Sequence, residues 1–76
     1  MIKTIASPKY GKLIGWLIAA RKARGLSLRE LSTSLNITLT AVHRIESLER
    51  RLDVFEYVQY CHALGVDPID GIKMLR

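Results

Sequence analysis

A single cysteine, few acidic side chains and no long apolar run close off several readings of this chain at once. One cysteine cannot form an intramolecular disulfide. Lys12 and Arg21 bracket the longest apolar stretch, which falls far short of the roughly 18 residues of a membrane span, and no signal-peptide pattern is visible. A reducing cytoplasm is the expected compartment, with no membrane partner. The chain has no Gly-rich phosphate loop and no pattern for a paired-carboxylate cleft, so an enzyme is not expected. Cys61 and His62 invite a metal reading, but adjacent helical residues point about 100° apart and no further Cys or paired His stands at ligand spacing. A Cys-His nucleophilic pair fails on the same geometry. No metal or other cofactor is expected, and Cys61 reads as a small core residue.

Acidic residues number seven against twelve Lys and Arg, a net charge of +5 over 76 residues, and the imbalance is lopsided. From Met1 to Leu52 ten basic residues face Glu30, Glu46 and Glu49, a net of +7; from Asp53 to Arg76 two basic residues face four acidic ones, a net of −2. Either the basic half meets a polyanion or its side chains only solubilise a small domain. A domain this short buries only about 60% of the surface its unfolded chain exposes, so it needs tight helical packing, a partner, or both.

What is present is helix punctuation, with no candidate strand pair, internal repeat or low-complexity segment. Ser7-Pro8 places an N-cap oxygen before a proline at the first helical position, and Leu13, Ile14, Leu17, Ala20 and Arg21 follow at helical spacing until Gly25, a natural C-terminal stop. Ser27-Leu-Arg-Glu30 is a capping-box pattern for a second helix with Leu31 and Leu35 inward, and Asn36 can take the positive φ of a turn. Thr38 caps a third helix with Val42 and Ile45 inward. Asp53-Val-Phe-Glu56 opens a fourth, with Val54, Tyr57, Val58, Cys61 and Leu64 on one face. Asp67-Pro68 opens a fifth carrying Ile69, Ile72 and Leu75. The expected fold is an all-α single domain over residues 1–76, with 1–6 as a short arm.

Residues 26–46, LSLRELSTSLNITLTAVHRIE, break an apolar helical pattern after about two turns and restart it at once. Two short helices across a tight turn make a helix-turn-helix, which holds the second helix so that one face can enter a DNA major groove. With Val42 and Ile45 inward, Leu39, Thr40, His43 and Arg44 point outward. Arg can bond guanine bidentately, Thr and Leu can touch a thymine methyl, and His can donate or accept. The same pattern also describes a solvated helix in an ordinary bundle, and His43 is either a group titrating near neutrality or simply a polar surface residue.

The run GLSLRELSTSLNITLTAVHRIESLERRLDVFEYVQYCHALGVDP, within a gap-free match from about Leu13 to Pro68, resembles the lambda-repressor-like helix-turn-helix family, also called XRE or Cro-like. Its pattern is roughly G-L-S-Q-x-E-L-A-x-x-L-G-[VI]-S-x-x-x-I-S-[RK]-[IW]-E-N-G, followed by a helix ending A-L-G-V. Glu46 to Val54 is also similar to the E-S-G-E-R-R-L-D-V segment of a group of small bacterial regulators. The resemblance implies a five-helix lambda-repressor-like DNA-binding domain whose second and third helices form the helix-turn-helix. It further implies base contacts from Thr38, Leu39, Thr40 and Arg44, beside which the outward spacing places His43 as a further base contact, phosphate contacts from Arg50 and Arg51, and a structural ion pair between Arg21 and Glu46. Leu28 stands where the family carries a phosphate-bridging Gln, which shifts that contact to Arg29. Leu48 stands where the family carries Gly.

Trp16 and Ile18 flank the core stripe of the first helix, and Phe55 and Tyr60 lie beside the inward face of the fourth. Either the fifth helix folds back over this apolar surface or a second subunit covers it. The expected assembly is a homodimer on double-stranded DNA, an inverted-repeat operator, with Ile69, Ile72 and Leu75 forming most of the interface and Phe55 or Trp16 at its border. The competing class is an antitoxin-like or adaptor module whose main partner is a protein such as a toxin, a reading supported by Leu28, Leu39 and Leu48 near the recognition surface.

Overall fold

The computed structural model describes residues 7–76; the arm expected over residues 1–6 lies outside them. Five α-helices follow in order: α1 Pro8–Ala23, α2 Leu28–Leu35, α3 Leu39–Glu46, α4 Val54–Leu64 and α5 Pro68–Ile72, the last continuing as a 3-10 turn over Lys73–Leu75. No strand occurs among the described residues, and the fold is all-α with α2 and α3 as the helix-turn-helix pair.

Side-chain caps explain most of the helix starts. The Ser27 hydroxyl accepts the Glu30 N–H at 3.0 Å while Glu30 accepts the Ser27 N–H at 2.8 Å. The second of these bonds is the main reason the Glu30 carboxyl titrates below its ordinary range. Asp53 and Glu56 make the same reciprocal pair at 2.7 and 3.2 Å. Thr38 accepts from Ala41 at 3.0 Å and Asp67 from Ile69 at 2.9 Å. Ser7 is a correction. It takes the extended N-cap conformation, but its side chain caps nothing; its carbonyl accepts the Gly11 N–H instead. Pro8 at the first helical position leaves one fewer N–H without a partner at this helix start.

Helix ends share one device. Gly25, Asn36, Leu48 and Gly65 have φ of 69°, 56°, 64° and 69°. After each, the next N–H reaches back across the turn, from Leu26 to Arg21, Ile37 to Ser32, Glu49 to Arg44 and Val66 to Cys61, at 2.8 to 3.1 Å, which is the Schellman closure. Gly and Asn enter this region readily. Leu48 does so against a steric cost of about 1–2 kcal/mol. The half-buried packing of its side chain against the core offsets part of that, and it turns Leu48 inward rather than toward the recognition surface.

The buried core draws Leu13, Ile14 and Leu17 from α1, Leu31 from α2, Val42 and Ile45 from α3, and Tyr57, Tyr60, Cys61 and Leu64 from α4. Two expectations for α4 are corrected. Val54 is 81% exposed, and Tyr60, placed by its spacing beside the inward face, is buried. The inward stripe of α4 is rotated toward Tyr60, whose hydroxyl donates to Glu46 at 3.2 Å; Val54, in the first turn, is left outside. Burial raises the Tyr60 phenol and the Cys61 thiol above their usual ranges, which keeps both protonated.

The C-terminal helix folds back. The Tyr57 hydroxyl donates to the Pro68 carbonyl at 2.6 Å, and Gly71 is buried where a Cβ would run into that hydroxyl and lie 2.6 Å from Trp16 Cζ3 and 2.9 Å from Leu13 Cδ1. Trp16 is therefore half-buried within its own chain.

The Arg21 guanidinium grips Glu46 with two bonds, Nε to Oε2 at 2.8 Å and Nη2 to Oε1 at 3.0 Å, while Nη1 donates to the Leu26 carbonyl at 2.8 Å. Both side chains are nearly buried, 11% and 10% exposed. Glu46→Ala leaves this guanidinium unpaired and deprives Tyr60 of its acceptor. We expect a loss of about 3 kcal/mol or more, on the order of 12 °C or more in Tm for a domain of this size; a thermal melt superimposable on wild type would show that the pair adds nothing.

Gly71→Ala raises helix propensity but inserts a methyl where Tyr57, Trp16 and Leu13 already stand. The expected net loss is about 1–3 kcal/mol, accompanied by a red shift in the emission of Trp16, the single tryptophan, as α5 lifts away. An unshifted spectrum with an equal or higher melting temperature would contradict this packing.

Candidate nucleic-acid interface

The third helix is anchored on one side only. Val42 and Ile45 are completely buried, while Thr38, Leu39, Thr40, His43 and Arg44 are all exposed, so the residues singled out for base contact share one open face. That face begins at the N-terminal end of α3, where the Thr38 hydroxyl is occupied by the Ala41 N–H; Thr40, His43 and Arg44 supply its outward polar atoms. Glu46 closes α3 from the core side through Arg21, so neither member of that pair belongs to the open face.

Two shallow concavities border it. One is lined by Leu28, Leu39, Thr40 and His43. The other shares Leu28 and His43 and adds Ile18, Arg21, Lys22, Glu46 and Ser47. Lys22 is exposed and is the cation that sequence reasoning missed on this side; the only signal was its place beside Arg21 in the last turn of α1. Arg24 goes elsewhere, its guanidinium approaching Gly65 at the C-terminal end of α4, where the helix dipole is negative.

The residues expected at phosphates divide. Arg29 on α2 and Arg51 in the loop after α3 are exposed. Arg50 donates to both oxygens of Glu56, at 3.2 and 2.6 Å, and this carboxylate raises the Arg50 pKa. Its charge is locally neutralised by the same Glu56 that caps α4. The surface expected at a subunit boundary also divides. Ile69, Ile72 and Leu75 are 61%, 52% and 43% exposed and Phe55 is 72% exposed, whereas Trp16 is taken up by α5 of its own chain.

Elsewhere the geometry is unremarkable for chemistry. Cys61 is buried and His62 exposed, on different sides of α4, and no cluster of metal-ligating side chains occurs among the described residues. None of the described helices is long and apolar enough to cross a membrane.

A family model for the helix-turn-helix matches residues 17–70. Among solved structures, the chain is similar to an XRE-family like protein from Pseudomonas syringae pv. tomato str. DC3000, with a TM-score of 0.85 and 37% identity, covering 96% of this chain and 89% of that one. No curated protein matches. With an all-helical fold, an exposed polar face on α3 and both likenesses spanning most of its length, the chain belongs to the XRE-type, lambda-repressor-like helix-turn-helix family of DNA-binding transcription regulators.

Proposed function

We propose that this regulator is a cytoplasmic repressor that binds an inverted-repeat operator as a homodimer, one α3 per half-site, and acts by occluding a promoter. The observation that carries the reading is the open face of α3, with Thr40, His43 and Arg44 exposed above a fully buried Val42 and Ile45. A single recognition helix reads only a few base pairs, so useful specificity calls for two half-sites about 34 Å apart and a two-fold protein. The exposed apolar strip of Ile69, Ile72 and Leu75, with Phe55 nearby in exposure, supports a self-complementary surface far in sequence from the basic half. The same strip also favours a second reading, an antitoxin-like or adaptor subunit whose partner is another protein. Steep loss of DNA affinity with salt separates the two, since phosphate neutralisation produces it and a protein interface need not.

In this reading Arg44 reads a base, while Arg29, Arg51 and Lys22 meet phosphates. Arg44→Ala should weaken binding to a selected operator by about 1–3 kcal/mol per subunit and relax preference at one base pair per half-site. The check is a titration against operator and random duplexes side by side; equal losses on both would move Arg44 to phosphate.

Ile72→Glu places an unpaired charge on both sides of the proposed two-fold axis. The expected product is a folded monomer by sedimentation, with wild-type helicity and without high-affinity operator binding. A dimer that survives the substitution puts the interface elsewhere.

A further inference from the structure

We infer that Tyr10, on α1 and outside the reading face, is a positioning residue for DNA binding: its hydroxyl anchors the loop after α3 and so holds Arg51 where it meets a phosphate. The inference rests on the DNA-binding reading above and adds to it the group that fixes one of its cations in place. Between α3 and α4 residues 47–53 run outside any helix. Leu52 stands one residue before Asp53, the cap of α4, too early for its N–H to be bonded within that helix. That N–H donates instead to the Tyr10 hydroxyl at 3.1 Å, across 42 residues of sequence. Tyr10 and Leu52 are both half-buried and packed against the core.

The neighbours of Arg51 give this bond its role. On one side Arg50 is tied to α4 through Glu56, at 3.2 and 2.6 Å; on the other Leu52 is tied to α1 through Tyr10. Arg51, between them, is exposed. A backbone tied on both sides of an exposed arginine has little freedom left to lose when a phosphate is met, so more of the attraction appears as affinity. Arg50 is engaged with a carboxylate, and within this loop the phosphate contact falls to Arg51. The two ties differ in kind. Arg50 is held by the end of a long side chain, whereas the bond to Tyr10 is made by the backbone of Leu52 and fixes the path of the chain directly. Only the hydroxyl is at stake at Tyr10, since phenylalanine keeps the ring but offers the Leu52 N–H no acceptor. A phosphate contact carries no sequence information, so the contribution of Tyr10 is the same on every duplex.

The test is a double-mutant cycle on the full chain, with Tyr10→Phe and Arg51→Ala made singly and together. Each protein is titrated against a duplex selected from random DNA and against a random duplex, at a temperature where circular dichroism shows every variant fully folded. Tyr10→Phe should weaken both duplexes by the same factor, about three- to tenfold per half-site. Arg51→Ala should weaken both and flatten the salt slope by roughly one unit per half-site. Adding Tyr10→Phe to Arg51→Ala should then cost nothing further, which a general weakening of the fold would not produce. Wild-type affinity for Tyr10→Phe, or an equal loss whether or not Arg51 is present, overturns the inference. So does a loss confined to the selected duplex, which would place the influence of Tyr10 on the bases. Arg51→Ala binding like wild type takes Arg51 away from phosphate and the inference with it, while the reading of α3 stands. Absence of any salt-dependent DNA binding by the wild-type chain overturns the underlying reading as well.

Discussion

Burial of Val42 and Ile45 sets which face of α3 points inward, and a directional contact fixes that orientation more closely than the undirected hydrophobic effect does. In this protein the directional contact is made by Arg21. Its planar guanidinium meets both oxygens of Glu46 and the Leu26 carbonyl, and Glu46 in turn accepts from Tyr60. One charged group thus ties α1, the turn after it, the last residue of α3 and the middle of α4. A bidentate charge-assisted pair tolerates little angular error, so the outward presentation of Thr40, His43 and Arg44 is set from the buried side of the domain. Replacing such a pair by apolar residues of like volume is often neutral for stability, whereas removing one partner alone leaves the other's charge buried and unpaired.

The loop after α3 is built on a similar economy of groups. Leu48 in a left-handed conformation ends α3, and Glu56 both caps α4 and holds Arg50. The loop is thereby pinned at both ends by interactions internal to the domain. The charge of Arg50 is in consequence less available than the Glu-Arg-Arg run implies, and Lys22, Arg29 and Arg44 are exposed cations outside this loop.

Much of this was legible because it is local. Ser27 with Glu30, Thr38, Asp53 with Glu56, and the turns at Gly25 and Asn36 are all written within four residues of where they act, and the open face of α3 follows from helical spacing once Val42 and Ile45 are inward. The Arg21 and Glu46 contact, 25 residues apart in sequence, came into view only through the resemblance to a family. What spacing missed has a common cause. Tyr60 turns inward because Glu46 is there to receive its hydroxyl, and Val54 is left outside by the same rotation; neither fact is contained in α4. Gly71 looked like a weak point in a short helix until Trp16, Leu13 and Tyr57 were brought against it. Arg50 looked free because nothing in a loop sequence says that a capping glutamate will fold back onto it. Leu48 gave no sign of a positive φ, since leucine rarely takes one; its position, where the family carries Gly, was the available hint.

The four left-handed helix endings also bear on which partner yields when this protein meets DNA. Each of the first four helices is closed by a bond reaching back across its turn, and the next starts on a side-chain cap after three to seven residues. Where a protein surface held in one shape departs from straight B-form DNA, bending, groove narrowing or local untwisting of the duplex accommodates the difference, and the ease of those deformations depends on bases that no side chain touches.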